Sequence, residues 1–155
     1  MARIEERAVI AAPAEEVFDF RLDFGSNLAA YNPSVREVVQ VQGDRPGVGS
    51  RYRVRVRLAP GLVTDATLTV TEAERPTCVA DLAESFVGAH ETVRFESCVL
   101  PDGGTGTEVR FVVTTTPSGL LGRALDAVLL PALTRRQVRT ELHRMRTELE
   151  SRSRR

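Results

Sequence analysis

Two glutamates carry the strongest hint of chemistry in this sequence. Glu84 and Glu91 stand on either side of the short segment 85–90. If the flanking residues are two strands of a hairpin, alternation gives Glu84 the parity of Cys78, Ala80 and Leu82. Glu91 then shares the parity of Val93, Phe95 and Ser97. Two carboxylates held close in an apolar pocket resist ionising together, so one pKa rises and the pair offers an acid and a base near neutral pH. Such a pair would suit enolisation or dehydration of a polyketone. The competing reading puts both at a hairpin end, on a solvated rim or against an arginine, and a bulge at Gly88 would reverse the parity.

Tyr31 and Tyr52, the only tyrosines, come next. A buried phenol needs a hydrogen-bonding partner, so either would orient the polar end of a ligand or pack in the core with its hydroxyl at the surface. Asn32 suits a brace for its own turn. The remaining reactive residue types do not assemble. His90 precedes Glu91 directly, and neighbours on a strand face opposite sides, so they form no dyad. His143 falls on the polar side of a helix. Cys78 reads as core filler and Cys98 as an outer-face residue. With no CxxC or Cys/His cluster, no metal site is expected. Gly47-Val48-Gly49 leads into a strand, whereas phosphate cradles lead into a helix. No cofactor is therefore expected.

The elements that must position these residues are legible. Residues 3–12 predict a first strand. Pro13, followed by Glu15 and Glu16, opens a helix with acids at its positive end. Gly25 is the expected stop. A second short helix over 26–31 ends at Asn32-Pro33. Six Val- and Thr-rich segments follow, at 35–42, 50–58, 62–72, 77–84, 87–99 and 107–116, separated by Gly, Pro and Asp turns. With the first, they make seven strands, the last six an antiparallel meander. One long helix closes the chain over 117–150. Its stripe Leu121, Leu125, Val128, Ala132 is rotated from the stripe Val138, Leu142, Met145, Leu149, with Pro131 between them predicting a bend.

In the segment RYRVRVRL, Arg51, Arg53, Arg55 and Arg57 share one strand face and Tyr52, Val54, Val56 and Leu58 the other. The arginine row reads as the wet side of a half-buried sheet, with Asp65, Asp81 and Glu96 as available acidic partners. Bulk charge agrees. The chain of 155 residues carries 21 basic and 21 acidic side chains, a formal net charge of zero, and every basic one is Arg. No nucleic-acid partner is expected from that balance. The basic run Arg135, Arg136, Arg139, Arg144, Arg146 reads as a solvated helix face. No apolar run approaches the roughly 20 residues of a membrane span. The charged start MARIEER lacks the core of a signal peptide, which predicts a cytoplasmic protein. Size and composition suit one domain over 1–150 and a frayed basic tail over 151–155.

Four stretches carry a family resemblance. Ala12-Pro13-Ala14-Glu15-Glu16-Val17-Phe18-Asp19 resembles an APxEEVFD opening. Tyr31-Asn32-Pro33-Ser34-Val35 is similar to a WNPxV turn with Tyr for Trp, and Gly47-Val48-Gly49-Ser50 to a GxGS turn. Pro117 to Arg123 resembles a PxGLLGR helix entry. Together they resemble the SRPBCC superfamily, the START-like, polyketide cyclase/dehydrase and lipid-transport group. The resemblance implies an α+β helix-grip fold: a curved seven-stranded antiparallel sheet wrapped around the long C-terminal helix, with two short helices between strands 1 and 2. It implies a cavity between sheet and helix, and a chain with no Trp and six Phe would line it with small side chains. Expected ligand-binding residues are Tyr31, Tyr52, Val54, Phe95, Phe111, Leu125 and Leu129. The leading expectation is a carrier or sensor of a small hydrophobic molecule. A polyketide cyclase, aromatase or dehydratase using Glu84 and Glu91 is the alternative; a protein-binding module of co-chaperone type is a third.

Overall fold

A computed structural model describes residues 2–85, 90–100, 106–116 and 130–155. In chain order these form β1 (Ala2–Ile10), α1 (Ala14–Leu22), α2 (Phe24–Tyr31), β2 (Val35–Gln42), β3 (Arg51–Ala59), β4 (Leu62–Glu74), β5 (Cys78–Ser85), β6 (His90–Val99), β7 (Thr107–Thr116) and α3 (Leu130–Ser153). The seven strands pair antiparallel in the order β1-β7-β6-β5-β4-β3-β2. From β2 to β7 the sheet is the predicted meander. The tightest link is Pro60-Gly61, where Gly61 takes φ 77°, a conformation that costs glycine little and other residues much.

β1 and β2 are the two edges of the sheet, so α1 and α2 must carry the chain across its inner face. That crossing brings α1 over the middle strands. Register slips at Val35/Glu37, Gln40/Gln42, Arg57/Ala59 and Val70/Glu72 bend the strands and add twist, so the sheet is curved rather than flat. α3 lies against β1 and α2. Its stripe Val138, Leu142, Met145 and Leu149 is buried, as the spacing predicts.

The two short helices meet differently from the expectation. The break falls at Asp23, not Gly25. The Asp23 amide closes α1 on the Asp19 carbonyl, and its carboxylate accepts from the Ser26 amide at 3.2 Å to open α2. An aspartate cap outcompetes a glycine two residues on, which lies inside the first turn of α2. The C-terminus also differs. The helix runs to Ser153 instead of fraying from 151, because Arg152 is anchored: it donates to Asn27 Oδ1 at 3.2 Å and lies 4.9 Å from the centre of the Phe20 ring. The expected stripe of Leu121, Leu125 and Val128, and the carbonyl that Pro131 would free, lie outside the described residues.

On β3 the arginine row is exposed while Tyr52 and Val54 are buried, so the row is the wet face. Arg55 reaches Asp65 at 3.3 Å, and Glu96 serves Arg94 and Arg110. Asp81, expected among these outer partners, is instead on the inner face.

Candidate functional site

The curved sheet and the helices enclose a cavity of about 260 Å³. Its apolar wall includes Leu28 from α2, Val54 from β3, Leu68 from β4, Val93 from β6 and Phe111 from β7. Among the described residues four charged side chains also line it: Arg21 of α1, Asp81 of β5, Glu91 of β6 and Glu141 of α3. Each comes from a different element, and three of them are buried: Arg21 and Asp81 are each 2% exposed and Glu141 is 7%.

Arg21 organises this end of the cavity. It lies four residues after Val17 and three after Phe18, so helical geometry turns it inward with them. Its Nη1 donates to the Tyr31 hydroxyl at 2.6 Å and its Nη2 to Asp81 Oδ1 at 3.0 Å. The guanidinium carbon lies 4.8 Å from the centre of the Phe24 ring and 5.1 Å from that of Phe111. The charge is thus held by one carboxylate, one phenol and aromatic faces. Glu141 Oε1 accepts from Asn32 Nδ2 at 2.9 Å and from Gln137 Nε2 at 3.2 Å. Asn32 also braces its turn, accepting from the Ser34 amide at 3.0 Å.

Among the described residues one guanidinium stands against three carboxyl groups, which leaves the carboxyls short of positive charge. Burial pushes Asp81 up to about 6, with Arg21 pulling the other way. Burial pushes Glu141 up to about 7, against Arg21 and the Gln137 hydrogen bond. Glu91 is also raised, by burial first and then by the charge of Asp81. Burial likewise raises the Tyr31 phenol, which stays protonated. This end of the cavity therefore holds carboxyls that exchange protons near neutral pH. Among the described residues no three His, Cys, Asp or Glu are placed to hold one metal ion, so the carboxyls do not converge on a point.

The expected site residues distribute unevenly. Val54 and Phe111 line the cavity, as does Glu91. Tyr31 is buried behind the lining and touches the site through Arg21. Tyr52 is buried in the core with its ring edge-on to Phe24, centroids 5.7 Å apart, and its hydroxyl beside Ser50. Phe95 supports the lining residue Phe111 from behind, edge-on at 6.0 Å. Neither Tyr52 nor Phe95 lines the cavity. Leu125 and Leu129 lie outside the described residues.

Glu84 is a correction. It is exposed, and it pairs across the hairpin with His90, while Ala83 pairs with Glu91. Glu84 and Glu91 therefore face opposite sides of the sheet and cannot act as a pair. The parity of β5 is the reverse of that expected: Val79, Asp81 and Ala83 face in, and Cys78 sits beside Arg94 and Glu96 on the outer side. Both parities of Cys78–Ser85 contain apolar residues, so the strand alone does not choose its inward face, and a lone buried Asp is costly. Arg21 removes that cost. The residues missed by sequence reading are Arg21, Asp81 and Glu141. Their common signal was position: each occupies an inward slot of its own element.

Comparison with known proteins agrees with this geometry. No curated protein matches the chain significantly. Among solved structures, protein CV1439 from Chromobacterium violaceum superposes with a TM-score of 0.74 at 17% identity, covering 97% of this chain and 99% of that one. TTHA0849 from Thermus thermophilus gives 0.72 at 20% identity over 98% and 99%. The ZhuI aromatase/cyclase from Streptomyces sp. R1128 gives 0.67 at 19% over 98% and 95%. At these identities the likeness is one of fold. The family model for polyketide cyclase/dehydrase and lipid transport proteins matches residues 1–150. With a curved sheet, a C-terminal helix and a lined cavity between them, the chain belongs to that family, within the SRPBCC superfamily.

Proposed function

We propose that this protein binds a small hydrophobic molecule in the cavity between sheet and C-terminal helix, as a carrier or sensor. The observation that carries this reading is the cavity of about 260 Å³, mostly apolar in lining and charged at one end. It falls just below the roughly 300–1,000 Å³ typical of sites for drug-sized ligands, which suits a guest of one or two fused rings or a short chain. Among the described residues no helix is long and apolar enough to cross a membrane.

The test uses an uncharged fluorescent probe, N-phenyl-1-naphthylamine, and native mass spectrometry of the purified protein. Wild type should give saturable probe fluorescence and a co-purifying small mass. Ala83→Leu and Val56→Phe put new side chain into the cavity and should weaken probe binding at least about tenfold, equivalent to about 1.4 kcal/mol. Absence of saturable binding, or equal binding by both filled variants, would overturn the reading.

A cyclase, aromatase or dehydratase is the second reading. The observation favouring it is a carboxyl raised to about 7, Glu141, in the same cavity as Glu91. A general acid or base works best with a pKa near the working pH. The catalytic pair would then be Glu91 and Glu141, with Glu84 no longer part of it. Glu91→Gln with Glu141→Gln should abolish turnover of an enzyme and leave a carrier's probe affinity within about threefold.

A further inference from the structure

The polar end of the cavity has a definite chemical bias. Among the described residues three carboxyl groups, Asp81, Glu91 and Glu141, face the space and one guanidinium answers them. Arg21 is already engaged by Tyr31 and Asp81, with the Phe24 and Phe111 rings close by. One N–H of the Asn32 amide and one of the Gln137 amide go to the same oxygen, Glu141 Oε1. Among the described residues, hydrogen-bond donors from side chains reach Asp81 Oδ1 and Glu141 Oε1; Glu91 receives none. What the described part of the wall offers a guest is therefore a surplus of carboxyl groups over cations. Arg21 Nε has no partner among the described residues, but it is itself buried and is not offered to a guest.

From this balance we infer that the cavity selects an apolar molecule whose polar end donates hydrogen bonds, an amine or a hydroxyl, and rejects carboxylates. The inference rests on the cavity being the ligand site, and it narrows the ligand class. An ammonium group would neutralise surplus negative charge. A hydroxyl would donate to a carboxylate without adding charge. A carboxylate guest would face three acidic groups against one guanidinium among the described residues, where water screens little.

Three naphthalene derivatives of one skeleton separate these cases: 2-naphthylmethylamine, 2-naphthol and 2-naphthoate. The chain has no Trp, so naphthyl fluorescence reports binding with little protein background. Titrations are run at about pH 8, above the values of Asp81 and Glu141. The amine and the naphthol should each bind at least about tenfold more tightly than the naphthoate, in line with hydrogen bonds to charged groups. In Glu91→Gln the amine should weaken about tenfold while the naphthol changes less than about threefold. Naphthoate binding as tightly as the amine and the naphthol would overturn the inference and leave the cavity reading intact. Failure of all three, with the neutral probe also unbound, would overturn both.

Discussion

The same ion pair, arginine with carboxylate, appears on the two faces of this sheet under opposite physics. On the outer face Arg94 meets Glu72 and Glu96, each at 2.6 Å, and Arg55 meets Asp65 at 3.3 Å. Those side chains keep a third to half of their surface in water. On the inner face Arg21 meets Asp81 at 3.0 Å with almost no exposure on either side. Exposed pairs are screened and contribute about 0–1 kcal/mol. The buried pair carries a large desolvation cost that its partners offset, so removing one partner is far worse than never having had either. Distance alone does not rank these contacts; access to water does.

The two faces also respond to pH with opposite sign. The outer acids Glu5 and Glu96 are held below their ordinary values, first by hydrogen bonds from Arg7 and Arg94 respectively. Their contribution is present above the unfolded carboxyl value and is lost as pH falls through the lowered one. Asp81 and Glu141 are raised by burial, to about 6 and about 7. Their neutral forms favour the fold. That contribution is complete below the unfolded value and is lost as pH rises through the folded one.

The sharpest way to break this contrast is Arg21→Met. It should leave buried acids without their cation and destabilise the protein by about 3–5 kcal/mol at neutral pH, measured by urea unfolding. The loss should shrink at about pH 5, where the orphaned carboxyls can take up protons. An unchanged midpoint at neutral pH would mean the cluster is wetter than it looks.

Next in size is the pH profile itself. Between about pH 5 and pH 8 the wild type should lose about 4 kcal/mol of stability. Glu141→Gln should remove the upper part of that fall, near 7, and keep the part near 6 that belongs to Asp81. A wild-type profile that is flat or rising across this interval would contradict the assignment.

Smallest of all is Arg94→Ala on the outer face. Its several ion pairs should be worth less than about 1 kcal/mol together, and the difference should fade at high salt because exposed charges are screened. A loss comparable with that of Arg21→Met would show that the outer network behaves as a buried one.

The elements themselves were readable because each announces itself locally. Turns such as Pro60-Gly61, the alternation of Arg51 to Arg57 with apolar neighbours, and the stripe Val138 to Leu149 follow from short-range sterics and burial. The Asp23 cap was missed because a nearby glycine offered a more obvious stop. Half of the candidate site was harder. Glu91 kept the inward parity that a bulge at Gly88 would have reversed, and Val54 and Phe111 lay on strands of clear alternation. Arg21, Asp81 and Glu141 gave no such sign, since each is a charge at an inward position, which by itself argues against that position being inward.

What the chain determined alone is the order of elements, the faces of most strands and the family of the fold, all of which rest on interactions within a few residues or on a repeating pattern. What only the tertiary structure decided is which side of β5 faces in and where the cavity keeps its charge. An inward Asp81 is untenable until Arg21, 60 residues earlier in the chain, arrives beside it. Burial of charge is a property of the pair, and no segment read by itself contains both partners.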